Sequence, residues 1–210
     1  MRVKAHRDME IDFSNREIIL NKVLNDLDNL ALDFIKILDE NAVKYVLVSG
    51  YVAILFGRSR SSEDIDVIAE KISKAQFLIL WHALSSRFRC IITNNPEEAY
   101  DRYLADRAPV RFSRGEPIAP NMEFTFPKLE LEQWVLDNAI IVRLNGNMIK
   151  ISQIELQIAY KLSMGTQKDI EDARHLYRLF KERLDESLLK LWLKKLHKED
   201  MYDKYLYEAA

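Results

Sequence analysis

At 210 residues, with 48% apolar and 30% charged side chains, the chain is long enough for one large domain or two small ones around an ordinary hydrophobic core. A formal net charge of −2 excludes a protein that coats nucleic acid through a broadly basic surface, and leaves room only for a local patch such as one around Arg58 and Arg60. The single cysteine, Cys90, excludes an internal disulfide and a cysteine-rich zinc site, and no apolar run reaches the length of a membrane span. With no apolar signal segment in the opening MRVKAHRDMEID, a cytoplasmic protein without membrane contact is expected.

Residues 1–12 are polar and are expected to be loosely docked. Ser14 and Glu17 have capping-box spacing, and Ile19, Val23, Leu27, Leu30, Phe34 and Leu38 recur at helical intervals, so one long scaffold helix is predicted over residues 14–40. The next stretch, KYVLVSGYVAILFGRSRSSEDIDVIAE, carries the chemistry. An apolar β-type run at residues 45–48 stops at Ser49-Gly50, and the apolar spacing then becomes that of a short helix. A strand that delivers the chain into a helix N-terminus through a residue without Cβ suits a phosphate, which the serine hydroxyl and the arginines at 58 and 60 would also favour. In the strand that follows, Asp64 and Asp66 are two residues apart, so both carboxylates leave the same face. Paired carboxylates are the ligands a hard cation such as Mg²⁺ (or Mn²⁺) takes, and such an ion bridges nucleotide phosphates to an attacking hydroxyl.

Ser73 caps a second helix, through Trp81 to about Phe88, on which His82 reads as a packing or surface residue. A strand at residues 89–93 precedes a helix with Asn95 as N-cap and Pro96 as first residue. All five prolines fall between Pro96 and Pro127, which predicts the most loop-rich part of the chain, with short strands at residues 110–112 and 122–126. Asn145-Gly146-Asn147 joins two strands in a hairpin, and Ser152 with Glu155 predicts a capping box at the start of a helix carrying Leu156, Tyr160 and Leu162. Thr166 and Asp169 open another, amphipathic through Phe180, and helices around residues 188–196 and 202–209 complete a small bundle. Its lysines at 190, 194, 195 and 198 are interleaved with Glu186, Glu199 and Asp200, the pattern of a solvated face. Alternating strands and helices predict an α/β (α+β) fold, a mixed sheet flanked by helices with a C-terminal helical bundle.

The order Ser49-Gly50-Tyr51-Val52-Ala53, Phe56-Gly57, Arg60-Ser61-Ser62-Glu63-Asp64-Ile65-Asp66 resembles, without gaps, the signature of the nucleotidyltransferase superfamily (polymerase beta-like fold), closest to its AbiEii-type branch. Ser49 stands where that branch has its first glycine, and Phe56 where it often has histidine. The resemblance extends through the hairpin, Lys161-Leu162 and Lys168-Asp169-Ile170-Glu171-Asp172. It implies residues 1–151 as the nucleotidyltransferase domain and 152–210 as a helical subdomain. It also implies a third metal-binding acid on a later strand, for which Glu123 fits, with Asp101, Glu130 and Glu132 as competitors and a plain surface glutamate as the alternative. Ser49, Gly50, Arg60, Ser62, Lys161 and Asp169 are then implied to bind nucleotide, although an acid at a helix N-terminus such as Asp169 is stabilised there without any chemistry.

The expected activity is transfer of a nucleoside monophosphate from a nucleoside triphosphate to a hydroxyl of tRNA or other RNA, of a protein, or of a small molecule such as an aminoglycoside. The AbiEii likeness tilts it toward the toxin of a toxin–antitoxin pair, with an antitoxin as partner. The alternative is a nucleotide-binding or interaction module, or an antitoxin-like partner, that keeps the fold without turnover. Against it stands the intact acid pair, whose mutual repulsion costs stability unless a cation is present.

Overall fold

The computed structural model describes residues 2–6, 9–14 and 17–206. Its centre is a mixed sheet in the order β1-β2-β3-β9-β10-β4-β5-β8-β7-β6. The strands are β1 (Arg2–His6), β2 (Met9–Ser14), β3 (Glu17–Lys22), β4 (Tyr45–Val48), β5 (Asp64–Ala69), β6 (Arg89–Cys90), β7 (Val110–Ser113), β8 (Asn121–Thr125), β9 (Ile140–Leu144) and β10 (Asn147–Ile151). The helices are α1 (Asp26–Glu40), α2 (Gly50–Leu55), α3 (Lys74–Leu84), α4 (Pro96–Glu98), α5 (Glu130–Asp137), α6 (Ile154–Met164), α7 (Gln167–Phe180), α8 (Glu186–Lys195) and α9 (Asp200–Tyr205). α4 runs on into a π-helical turn, Ala99–Leu104.

The N-terminal region corrects two expectations. The long helix over residues 14–40 does not exist: Ser14 ends β2, Glu17–Lys22 is β3, and the helix starts only at Asp26. The Ile18-Ile19-Leu20 run is β-branched at two of its three positions and buries Ile18 and Leu20 by strand alternation. β3 pairs antiparallel with β2 and parallel with β9, and Val23, expected on the helix's apolar stripe, is 79% exposed. The real N-cap is Asn25, whose side chain accepts from Asp28 N at 2.8 Å while the Asp28 carboxylate accepts from Asn25 N at 2.9 Å. Nor is residues 1–12 loosely docked throughout, because Met9 and Ile11 of β2 sit in the core. Residues 1, 7, 8, 15 and 16 lie outside the described residues, as do 207–210, which include the end of the helix expected over 202–209.

Several other local signals hold. Ser73 caps α3 reciprocally with Gln76, Asn95 caps α4 with Pro96 behind it, and Asn145-Gly146 turns the β9–β10 hairpin with both residues at positive φ. The strand expected at residues 89–93 shortens to Arg89–Cys90, with Cys90 buried. α5 forms in a stretch for which the sequence predicts no element. The Ser152–Glu155 capping box does not form: Ser152 Oγ donates to Gln157 Oε1 at 2.9 Å, and Glu155 accepts from the backbone N of Asp185 at 3.0 Å, tying α6 to the start of α8.

Alternation along β5 and β8 creates two unlike faces. Ile65 and Val67 pair with Met122 and Phe124 across the parallel β5–β8 ladder, and all four are buried. Phe124 meets Phe34 of α1 and Phe77 of α3, so these helices cover that face. Asp64, Asp66 and Glu123 point from the other one. Among the described residues no helix is long and apolar enough to cross a membrane.

Candidate active site

β4 carries the chain to Ser49, whose backbone sits at φ 62°, ψ −135°, a region nearly confined to glycine. Side chains from two other elements hold the turn there. Gln157 of α6, itself buried and oriented by Ser152, donates from Nε2 to the Ser49 carbonyl at 2.6 Å. The Ser49 side chain is hydrogen-bonded to Asp66. The position where the resembled family has glycine thus has a glycine-like backbone, and the serine there supplies a hydroxyl to the second carboxylate.

Asp66 is paired with Val48 on one side and Glu123 on the other. Burial pushes its carboxyl up to about 6, helped by the charges of Asp64 and Glu123 and opposed by the Ser49 hydrogen bond and the Lys161 charge. Asp64, level with Asn121, lies one pleat repeat along the same face. Glu123 therefore stands on the same face and at the same level as Asp66, in the adjoining strand. Its Oε2 is engaged from the far side by Arg111 of β7, with Nε at 2.9 Å and Nη2 at 2.8 Å. Among the described residues no three carboxylate, histidine or cysteine side chains are gathered tightly enough to hold a metal ion as they stand.

Gly50 and Arg60 are together, for a reason the sequence did not suggest. A Cβ on Gly50 would meet Arg60 Nη2 at 2.1 Å, so the guanidinium fills the space a side chain would take there. Arg60 is pinned by Asp172 of α7, Nε to Oδ1 at 3.0 Å and Nη2 to Oδ2 at 2.9 Å, and its Nη1 donates to the Ser61 carbonyl at 3.0 Å. Arg58 pairs with Glu171. Asp172 is fully buried and also receives Lys161 Nζ at 3.3 Å. Lys161 Nζ donates to Asp169 Oδ1 at 2.7 Å, and Thr166 Oγ1 donates to Asp169 Oδ2 at 2.5 Å. The Asp169 carboxyl lies below its usual range: hydrogen bonds from Lys161 and Thr166, with the Lys161 and Arg60 charges, outweigh its burial. Ser62 is half-buried in the segment leading into β5. Asp101, a competitor for the third acid, pairs with Lys74, and Glu132 caps α5 through the backbone N of Leu129 at 3.2 Å.

Two site-building residues, Gln157 and Arg111, are marked by no motif, and Asp172 is marked only as the closing aspartate of the Lys168-Asp169-Ile170-Glu171-Asp172 run, with no role attached. Gln157 and Asp172 each carry a faint signal, a polar side chain among the buried residues of its helix. Arg111 has none, because only the β7–β8 register places it opposite Glu123. Phe56, where the family often has histidine, is core: it is buried edge-on against Phe180 at 4.8 Å, and His175 Nε2 donates to its carbonyl at 2.9 Å.

The mixed sheet with its strand–turn–helix unit and flanking helices is the nucleotidyltransferase fold. It is similar, at 16% identity and a TM-score of 0.55, to an antigenic nucleotidyltransferase-like protein from Paracoccidioides brasiliensis, over 87% of this chain and 92% of that one. It is also similar to the antibiotic-resistance factor ANT(2″)-Ia, at 11% identity and a TM-score of 0.50, over 89% of this chain and 100% of that one. The nucleotidyltransferase toxin MenT4 of Mycobacterium tuberculosis aligns at 16% identity and a TM-score of 0.44, over 86% of this chain and 66% of that one. No protein-family model matches the chain, and no curated protein matches it by sequence.

Proposed function

We propose that this protein is a metal-dependent nucleotidyltransferase that transfers a nucleoside monophosphate from a nucleoside triphosphate to an acceptor hydroxyl. The observation that carries the reading is the level placement of Asp66 and Glu123 on adjoining parallel strands, with Asp64 on the same face and the Ser49 turn beside them. This donor set fits a hard divalent cation, Mg²⁺ or Mn²⁺: it is all carboxylate oxygen, and it crowds negative charge that already pushes Asp66 up. Such an ion, when bound, neutralises phosphate charge and acidifies a hydroxyl.

The chain's own residues have distinct tasks in this reading. Ser49 orients Asp66, and Gln157 keeps Ser49 in its strained backbone. Glu123 accepts the proton of the acceptor hydroxyl as its oxygen bonds to the α-phosphorus, the phosphoanhydride bond breaks, and pyrophosphate leaves. Lys161, held by Asp169 and felt electrostatically at Asp66, supplies positive charge toward the phosphates. The AbiEii resemblance supports RNA or a protein as acceptor, a cytoplasmic toxin role and an antitoxin partner. Incubation with each radiolabelled nucleoside triphosphate, Mg²⁺ and cell extract tests this: label on a macromolecule with the natural protein, and none with Asp64→Ala or Asp66→Ala, is the expected result.

One observation favours a second reading, a nucleotide-binding or interaction module without turnover: the third acid is already satisfied by Arg111. Retained nucleotide binding with no transfer from any nucleotide would select it.

A further inference from the structure

We propose that Arg111 is a positioning residue that competes with the cation for Glu123: loading the ion moves Glu123 from the Arg111 guanidinium to the Asp64/Asp66 pair. The inference rests on the nucleotidyl-transfer reading and concerns how its third ligand is controlled.

Three observations carry it. First, the registers put Asp66, Glu123 and Arg111 in one row across β5, β8 and β7, so Glu123 stands between a carboxylate and a guanidinium with a neighbour on each side. Second, both guanidinium contacts fall on one oxygen, Oε2, and among the described residues Oε1 takes no hydrogen bond. Third, the pair is open to water, with the Arg111 side chain 45% exposed and that of Glu123 20%.

The contrast with Arg60 decides which cation can let go. Arg60 is 9% exposed and held by two oxygens of a fully buried aspartate, so its release would strand a buried charge. Arg111 on release gains full hydration, and a pair so exposed is worth little. A divalent ion facing three carboxylates offers Glu123 more than a half-hydrated guanidinium does, and it also repels that guanidinium. Exchange is therefore favourable once the ion arrives, and the ion pair keeps Glu123 from adding its full repulsion to the acid pair beforehand.

Mn²⁺ binding to the full chain without nucleotide, read from the electron paramagnetic resonance signal of the free ion, tests this independently of turnover. Relative to the natural protein, Arg111→Ala and Arg111→Gln are expected to tighten Mn²⁺ binding about 1.5- to fivefold, the range that loss of an exposed ion pair allows. Glu123→Gln weakens it, and adding Arg111→Ala to Glu123→Gln changes nothing further. Unchanged or weaker binding in both Arg111 variants, with melting temperatures preserved, overturns the proposal. Equal tightening in the Glu123→Gln background also overturns it, because Arg111 then acts through its field on the acid pair. Absence of any Mn²⁺ binding that Asp66→Asn removes would overturn the nucleotidyl-transfer reading itself, and this proposal with it; Asp66-dependent binding that ignores Arg111 sinks this proposal alone.

Discussion

Arg60 lies against Gly50 so closely that a β-carbon on the glycine would come within 2.1 Å of its Nη2. The far end of an arginine usually swings away cheaply, but this one is fixed in a fork to the buried Asp172. Gly50→Ala should therefore destabilise the protein by about 3 kcal/mol, through the pair it breaks and not through helix propensity. In an Arg60→Ala background the same change should fall within about 1 kcal/mol of neutral, since alanine is the better helix former. Urea unfolding of the four proteins measures the coupling.

Asp172 and Asp169 are three residues apart on α7, and their removal should have unequal costs. Asp172 is fully buried and answers both Arg60 and Lys161. Asp172→Ala strips the buried Arg60 of its carboxylate fork, while Lys161 keeps Asp169, and should cost about 3–5 kcal/mol. Asp169→Ala leaves Lys161 with Asp172 and should cost about 1 kcal/mol, chiefly a lost hydrogen bond and a carboxylate at a helix N-terminus. Thermal melts of the two variants should rank them in that order.

Ser49→Gly separates backbone strain from side-chain function. Glycine adopts φ 62° without the steric cost that serine bears, so the variant should gain about 1 kcal/mol in stability. It also removes the hydrogen bond that lowers Asp66, so the Asp66 carboxyl should titrate above its present value of about 6. Carboxyl carbon NMR against pH, beside a melt, reads both effects, and a carboxyl that stays put would refute the role given to the hydroxyl.

Asp66 also sets a pH dependence opposite to the usual aspartate. Its carboxyl is raised from 3.8 to about 6, so between those values the folded state binds more protons than the unfolded one. Stability contributed by protonated Asp66 is complete below about pH 4 and is lost as pH rises through 6, in total about 3 kcal/mol. Asp66→Asn should therefore be more stable than the natural protein at pH 7.5, with the gap closing by pH 4. Mg²⁺ should raise the natural protein's melting temperature at pH 7.5, do so far less at pH 5, and leave Asp66→Asn unmoved. Melts across that pH range with and without Mg²⁺ check all three outcomes.

Neighbouring residues alone decide the stop of β4 at Ser49-Gly50, the caps at Ser73, Asn95 and Thr166, the Asn-Gly hairpin, and two carboxylates on one face of β5. Each depends on dihedral preference or on a period of a few residues, and needs no distant partner. Pairings far apart in the chain were left to the tertiary structure. Ile18 to Leu20 became strand because β9, more than 100 residues later, offered an unpaired edge, and their spacing alone suited a helix equally well. Arg60 went to Asp172 instead of standing free for a phosphate, and Glu123 met Arg111, because a buried carboxylate needs a cation and a sheet register sets neighbours. Sequence spacing placed the acids on one face; long-range registers and desolvation chose the partner of each charge around them.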